Sequence, residues 1–239
     1  VVKLPATVTA IGEYAFTGCT RLAGLVIPNM VATISGNCFD KCGKIKTVII
    51  EDGTTDISIK LTDYMLQYCT LLNCKNLYLG RNAKMDFQNK ISSSYYKSFF
   101  NPEYVTVGNN VTIIDDYEFY VCKNLHSIII PSSVQSIGYN AFCCSLDELH
   151  INSLKAWCNI DFKQGSNPLS VAHKMYLDGK EITELVIPDG IEKVKDYAFA
   201  HWTNVTSVFI PNSVKSIGNY AFQGCKSVTS VDISNSVTS

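Results

Sequence analysis

The 239-residue sequence predicts a repeat solenoid, a line of stacked coils joined by parallel β-strands. Three observations predict it. The phrase IPNSVKSIGNYAFQGC (Ile210–Cys225) has a counterpart 23 residues earlier, IPDGIEKVKDYAFAHW (Ile187–Trp202). Apolar residues keep fixed offsets from the Pro of each phrase. Charged residues make up only 17% of the chain, against roughly a quarter in an average domain, as expected where many strands are half-buried. A fixed period of roughly 20–50 residues signals a stacked array before any other architecture.

With that Pro as position zero, the zero positions are Pro5, Pro28, Glu51, Gly108, Pro131, Pro188, Pro211 and Ser234, spaced by 23 within each run. The third residue before zero is Val2, Leu25, Val48, Val105, Ile128, Leu185, Val208 or Val231, and the residue just before zero is Leu4, Ile27, Ile50, Val107, Ile130, Ile187, Ile210 or Ile233. Two residues apart on an extended chain, these columns share one face and predict an inward-facing first strand. Pro at zero ends that strand, because it has no N–H to give to a ladder. Six residues after zero, Ile11, Ile34, Ile57, Ile114, Ile137, Val194 and Ile217 predict a second inward-facing strand. Gly12, Gly138 and Gly218 follow it, where a tight corner is expected. Eleven after zero come Phe16, Phe39, Phe119, Phe142, Phe199 and Phe222, one ring per coil, placed to stack on the next. Fourteen after zero, Cys19, Cys42, Cys122 and Cys225 are expected as small buried apolar groups. One such coil cannot bury its own apolar face. Neighbours do so for one another, and the core extends as a line.

The pattern L-x-x-I-x-I-P-x-S-V-x-x-I-G-x-x-A-F-x-x-C at this spacing resembles the BspA-type leucine-rich repeat family. LHSIIIPSSVQSIGYNAFCCS (Leu125–Ser145) matches it nearly throughout, missing only the final Cys. The match covers roughly residues 1–60 and 100–239, and the insert from Ser153 to Pro188 is similar to a variant coil of the family. The resemblance implies a leucine-rich-repeat-like right-handed coil with parallel β-sheets and no catalytic motif. It also implies secreted or surface-anchored bacterial proteins, with relatives in some parasitic protists, that adhere to host matrix proteins and other cells. The chain opens and closes inside a repeat, so a single solenoid over residues 1–239, part of a longer protein, is expected.

Regularity breaks twice, at about residues 58–104 and 146–182. SIKLTDYMLQYCTLLNC (Ser58–Cys74) places Leu61, Met65, Leu66, Cys69 and Leu72 at helical spacing and predicts a short outer helix. NLYLGRNAKMDF supplies a strand pair, Leu77 and Leu79, with Gly80 at zero. LHIN supplies another, Leu149 and Ile151, before SLKAWCNI, which predicts a helix capped by Ser153. MYLDGKEITELVI predicts a β-hairpin turning at Asp178–Gly179. Adding zero positions at 80 and 152 gives about ten coils. The aromatic group Tyr78, Phe87, Tyr95, Tyr96, Phe99 and Phe100 fits the filling of a wide coil better than a partner anchor.

A formal charge of -1, with both signs interspersed, offers no phosphate-neutralising patch, so nucleic acid is not an expected partner. No run of about 18 apolar residues could span a bilayer. Hydrolase, zincin, Walker and dinucleotide motifs are all missing, so no enzyme activity, cofactor or metal is expected, and the lack of C-x-x-C argues against structural zinc. Ten Cys in a chain expected outside the cell permit disulfides, with Cys69–Cys74 and a pair involving Cys143, Cys144 or Cys158 the combinations to test. The four His, with Asp115–Asp116 and Asp147–Glu148 in turns, read as solvated surface groups.

The candidate binding residues stand two before zero, where side chains face out if their neighbours face in. They are Val26, Ile49, Tyr78, Thr106, Ile129, His150, Val186 and Phe209, with Lys3 and Asp232 at the ends. An apolar stripe on an open sheet marks an interaction surface, although β-branched residues also favour strands for their own sake. Thr47, Tyr104, Ser127, Glu184, Ser207 and Ser230 form its rim. A secreted or cell-surface adhesion module for a host matrix or cell-surface protein is the expected function, with a structural spacer as the alternative. The oligomeric state is open.

Overall fold

A computed structural model describes residues 1–61, 74–87, 101–120, 122–142 and 145–239. The first strands line up as β1 (Val2–Lys3), β3 (Gly24–Ile27), β5 (Thr47–Ile50), β7 (Asn76–Leu79), β9 (Tyr104–Val107), β11 (Ser127–Ile130), β13 (Leu146–Ile151) and β15 (Ala172–Leu177). They form one parallel sheet, closed by the antiparallel β16 (Lys180–Ile182). The second strands build another side: β2 (Ala10–Ile11), β4 (Thr33–Ser35), β6 (Ile57–Leu61) and β8 (Ala83–Phe87), then β10 (Ile113–Ile114), β12 (Ser136–Ile137) and β14 (Asp161–Phe162). After the hairpin, β17 (Glu184–Val186), β19 (Ser207–Ile210) and β21 (Ser230–Ile233) restart the first side, while β18 (Lys193–Val194) and β20 (Ser216–Ile217) restart the second. The ten expected zero positions therefore bound a solenoid of about nine turns. Turns carrying the Phe and Cys columns make the third side.

The helix expected over residues 58–74 is not what begins there: β6 runs through Leu61, and residues 62–73 lie outside the described residues. β6 pairs along its length with β8, and Met65, Leu66, Cys69 and Leu72, which carry the helical spacing, all fall outside the described residues. Ser153 does cap a helix, α1 (Leu154–Trp157), its hydroxyl accepting from the Ala156 amide at 3.1 Å. The hairpin turns at Asp178 and Gly179, with φ of 49° and 79°, as a two-residue turn that follows the strand twist requires.

Burial follows the columns. Leu25, Ile27, Val48, Ile50, Ile128 and Ile130 are buried, as are Ile34, Ile57, Ile114 and Ile137 on the second side. A further inward column lies three after zero: Val31, Val111, Val134, Ile191 and Val214 are all buried. Each folds back under the Pro turn, its amide donating to the zero-position carbonyl, as Val31 does to Pro28 at 3.1 Å and Val214 to Pro211 at 3.1 Å. In the coil that starts at Glu51 this position is Thr54, which is exposed, and Arg81 enters from the next coil. The buried Arg81 guanidinium donates to the carbonyls of Pro28 and Val31, both at 2.8 Å, and of Thr55 at 3.1 Å. Burial lowers its pKa from the usual value, and the charge of Glu51 acts the other way.

On the third side the Phe rings of adjacent coils stack: Phe16 on Phe39 at 5.4 Å, Phe119 on Phe142 at 5.5 Å, and Phe199 on Phe222 at 5.5 Å. The Cys thiols donate to carbonyls one coil back, Cys42 to Phe16 at 2.9 Å and Cys225 to Phe199 at 3.2 Å. Cys19, Cys42, Cys74, Cys158 and Cys225 are free thiols; Cys69, Cys143 and Cys144 lie outside the described residues. Both described members of the suggested disulfides are therefore unpaired, and burial pushes Cys74 up to about 11 and Cys158 up to about 12.

The glycine corners have a different cause from the one expected. None of Gly12, Gly138 and Gly218 has positive φ; Tyr14, Tyr117, Asn140, Tyr197 and Tyr220 take that conformation two residues later. Gly138 is required by close approach, since a Cβ there would meet the Asp116 carboxylate and lie 2.5 Å from the Asp116 amide nitrogen. That carboxylate accepts from the Tyr139 amide at 2.7 Å, and Asp196 repeats the bracket on Asn219 at 3.0 Å. So Asp116 is a coil-to-coil bracket rather than a free surface charge. At Gly12 a Cβ meets nothing within 4 Å among the described residues.

The ladder stops between β14 and β18 and between β16 and β17. Elsewhere on the turn side, amides donate to carbonyls of the following coil, as Phe119 to Ala141 at 2.9 Å and Phe199 to Ala221 at 2.8 Å. At this seam the equivalent acceptor, Ala198 O, receives the Trp157 indole Nε1 at 2.8 Å and the Asn167 amide at 3.0 Å. Lys195 reaches across to Asp161 at 2.6 Å. Side chains thus replace a missing stretch of backbone ladder.

Two predictions follow from this packing. Gly138→Ala lowers stability by about 1–3 kcal/mol in denaturant titration, whereas Gly12→Ala stays within about 0.5 kcal/mol of the parent. The second concerns Glu118, which fills the slot held by Ala141, Ala198 and Ala221 in other coils. It is fully buried, accepts the Asp115 amide at 2.9 Å, and has its carboxyl pushed up to about 8 by burial. The native state then holds a proton that the unfolded chain loses above its ordinary pKa of about 4.5, so stability falls as pH rises from about 5 to 8. Glu118→Gln flattens that fall and is more stable than the parent at pH 8. An unchanged pH profile contradicts the assignment.

Candidate functional site

The strand register sets the candidate residues side by side. Val26 pairs with Ile49, Ile49 with Tyr78, Tyr78 with Thr106, Thr106 with Ile129, and Ile129 with His150. Beyond the seam Val186 pairs with Phe209. The eight residues therefore form two stretches of one face, six before the hairpin and two after it. Parallel strands lie roughly 4.8 Å apart, so each side chain contacts the next. Burial alternates along each strand: in β11, Ile128 and Ile130 are buried while Ile129 is 43% exposed. Val186 is 57% and Phe209 43% exposed. Val26, Ile49, Tyr78 and His150 are half-buried by their neighbours, and Thr106 is exposed.

The sequence reading missed Tyr176. It belongs to β15, opposite His150, and continues the column to the last parallel strand of the long sheet. Its ring stacks on His150 with centroids 4.6 Å apart and planes within 11°. The signal was the Met-Tyr-Leu alternation, absorbed into the hairpin assignment. Glu148 serves both rings, accepting from His150 Nε2 at 3.1 Å and from the Tyr176 hydroxyl at 3.5 Å.

A polar rim accompanies the column. Lys75 lies 3.5 Å from Glu103 and 5.8 Å from the Tyr104 ring centre. Tyr104 neighbours His126, whose Nδ1 is 2.9 Å from Asp147. Asp147 and Glu148 thus sit on strand β13 and pair with histidines, where turn positions with free charge were expected. His150 engages Glu148 and Tyr176. Tyr78 is tied to a neighbouring coil, its hydroxyl donating to Asp52 at 2.7 Å, and burial together with that carboxylate pushes its pKa up to about 12. Gly108 permits this, because a Cβ there would lie 2.7 Å from the Tyr78 hydroxyl. Of the aromatic group in the first irregular coil, Tyr95, Tyr96, Phe99 and Phe100 lie outside the described residues.

Such a face can offer apolar and aromatic contact at its centre and paired charges at its margin. Among the described residues, no three His, Cys, Asp or Glu side chains gather as a metal site, and no helix is long and apolar enough to cross a membrane.

Comparison with known families finds the BspA type leucine-rich repeat region in six copies, over residues 1–85, 89–172 and 169–239. A search of curated proteins finds no match. Among solved structures, a leucine-rich repeat protein from Bacteroides ovatus is similar at 19% identity and a TM-score of 0.39, covering 97% of this chain and 66% of that one. The pneumococcal vaccine antigen PcpA is similar at 16% identity and a TM-score of 0.35, covering 97% of this chain and 57% of that one. A leucine-rich cell surface protein from Faecalibacterium prausnitzii shares 19% identity with a TM-score of 0.33, covering 95% of this chain and 70% of that one. The chain thus spans less than two thirds of the length of the first two.

Proposed function

The chain belongs to the BspA-type leucine-rich repeat family, and from that premise we propose that it is a non-catalytic binding module, secreted or on the cell surface, that holds a protein ligand on its first-strand face. The supporting observation is the exposure of Ile129, Val186 and Phe209 on strands whose alternate residues are buried. The ligand class, a matrix or cell-surface protein, follows the roles attributed to the family. Repeated strands on a rigid solenoid present contacts at fixed spacing, so affinity accumulates from many weak contacts.

The magnitudes fit that picture. Completing the burial of a half-exposed large apolar side chain is worth on the order of 1 kcal/mol, so these three contribute roughly 3 kcal/mol. A micromolar complex needs about 8 kcal/mol, so the rim and the half-buried column must contribute the remainder. Replacing Ile129, Val186 and Phe209 together by Ser should weaken binding to a panel of immobilised extracellular-matrix proteins about 100-fold. The three side chains point away from the core, so the circular-dichroism spectrum should stay as in the parent. Undiminished binding by a folded triple variant contradicts the sheet-face assignment.

A further inference from the structure

The seam leaves a cleft on the turn side, away from the sheet face. A regular coil would place its Ala-Phe turn here. The irregular coil instead runs through α1 and the segment 163–170, and a cavity of about 440 Å³ opens between that segment and the two coils beginning at Pro188 and Pro211. This volume falls within the roughly 300–1,000 Å³ of small-ligand sites.

Its construction is specific to this place. One wall is a pair of tyrosine rings, Tyr197 and Tyr220, stacked at 5.2 Å with planes within 16°. Tyr220 is the outer ring and is 56% exposed. The opposite wall brings Lys163, Gln164 and Ser170, and Gln223 lines the cleft beside the rings. Ser166, also in the lining, is fully buried, and its hydroxyl meets no hydrogen-bond partner among the described residues. Asn167 beside it is buried and fixed, donating to Tyr197 O and Ala198 O, so the base of the cleft is rigid. His201 lines the cleft as well, beside Gly224, whose φ of 74° favours glycine.

The lining selects by chemistry. It holds no carboxylate, and its basic groups are one lysine and one histidine, too few to recognise a strongly anionic ligand. No aliphatic wall suits a hydrocarbon chain. Aromatic faces beside amides and hydroxyls suit a ligand with an apolar face and a rim of hydroxyl groups, since tyrosine supplies flat apolar area while Gln and Ser both donate and accept. We infer that this cleft binds the terminal sugars of a neutral glycan. A pyranose ring lies against Tyr220, and its hydroxyls bond to Gln164, Gln223 and the base of the cleft. The site is separate from the sheet face and does not depend on the function proposed for that face.

The test is an array of neutral, sialylated and sulfated oligosaccharides probed with the parent, Tyr220→Ala, Tyr220→Phe, Gln223→Ala and the triple Ser variant of the sheet face. Tyr220 and Gln223 are exposed, and circular dichroism checks that each variant is folded. The parent should bind neutral oligosaccharides. Tyr220→Ala and Gln223→Ala should each weaken that binding at least about tenfold, Tyr220→Phe less than about threefold, and the sheet-face triple not at all. Saturation transfer from aromatic protons to the sugar ring should be seen for the parent and lost in Tyr220→Ala. The inference is overturned if no neutral glycan binds, if only charged glycans or peptides bind, if Tyr220→Ala and Gln223→Ala bind as the parent does, or if binding follows the sheet-face residues.

Discussion

Every coil of this chain depends on a neighbour to bury its apolar columns. The dependence is visible in one comparison: Val208 and Ile210 are buried beneath the following coil, while Val231 and Ile233, the same columns in the last strand, are 54% and 48% exposed. Among the described residues no second layer covers the core, so the coils must stay in register, and a fixed register requires a fixed repeat length. The stacked Phe rings, the thiols bonded to carbonyls one coil back, and the Asp116 and Asp196 brackets all act between coils rather than within them. Tyr14, Tyr117, Asn140, Tyr197 and Tyr220 take positive φ at the same place in their coils, so the turn geometry repeats with the register.

Once stacking has claimed the inward columns, recognition is left to the positions between them. Ile129 lies between two buried isoleucines and is free to vary without cost to the core. The seam is the second source of freedom. There the irregular coil gives up part of the ladder, and Trp157 and Asn167 supply donors from side chains to the acceptor a regular coil would reach with its backbone. A cleft forms where the ordinary turn is missing. Departures from the repeat and positions ignored by the repeat are thus the two places where this solenoid can be specific.

The inward columns of both strands, the Phe stack, the Ser153 cap and the Asp178–Gly179 turn were legible because each rests on a local rule or a strict period. The column headed by Val31 and Val111 was present in the repeat but lies in a turn, where strand and helix periodicities give no inside or outside. Gly138 was recognised as a corner yet given the wrong cause, because its constraint is the Asp116 carboxylate of another coil and not its own φ. Arg81 belongs to no column of the repeat, and only the carbonyls of Pro28, Val31 and Thr55 around it explain its burial. Tyr176 and the cleft were hidden for the same reason. Where the period lapses, sequence separation stops reporting which coil faces which, and contacts such as Trp157 to Ala198 span 41 residues.

If cohesion passes only from coil to neighbouring coil, the seam is its weakest link. Native-state hydrogen exchange, followed residue by residue, tests this most directly. Amides of β19 and β21 should open together with a lower free energy than those of β3, β5, β11 and β13, and Trp157→Phe should lower protection of the first group more than the second. A single opening free energy for both groups, unchanged in its uniformity by Trp157→Phe, would contradict nearest-neighbour cohesion across this seam.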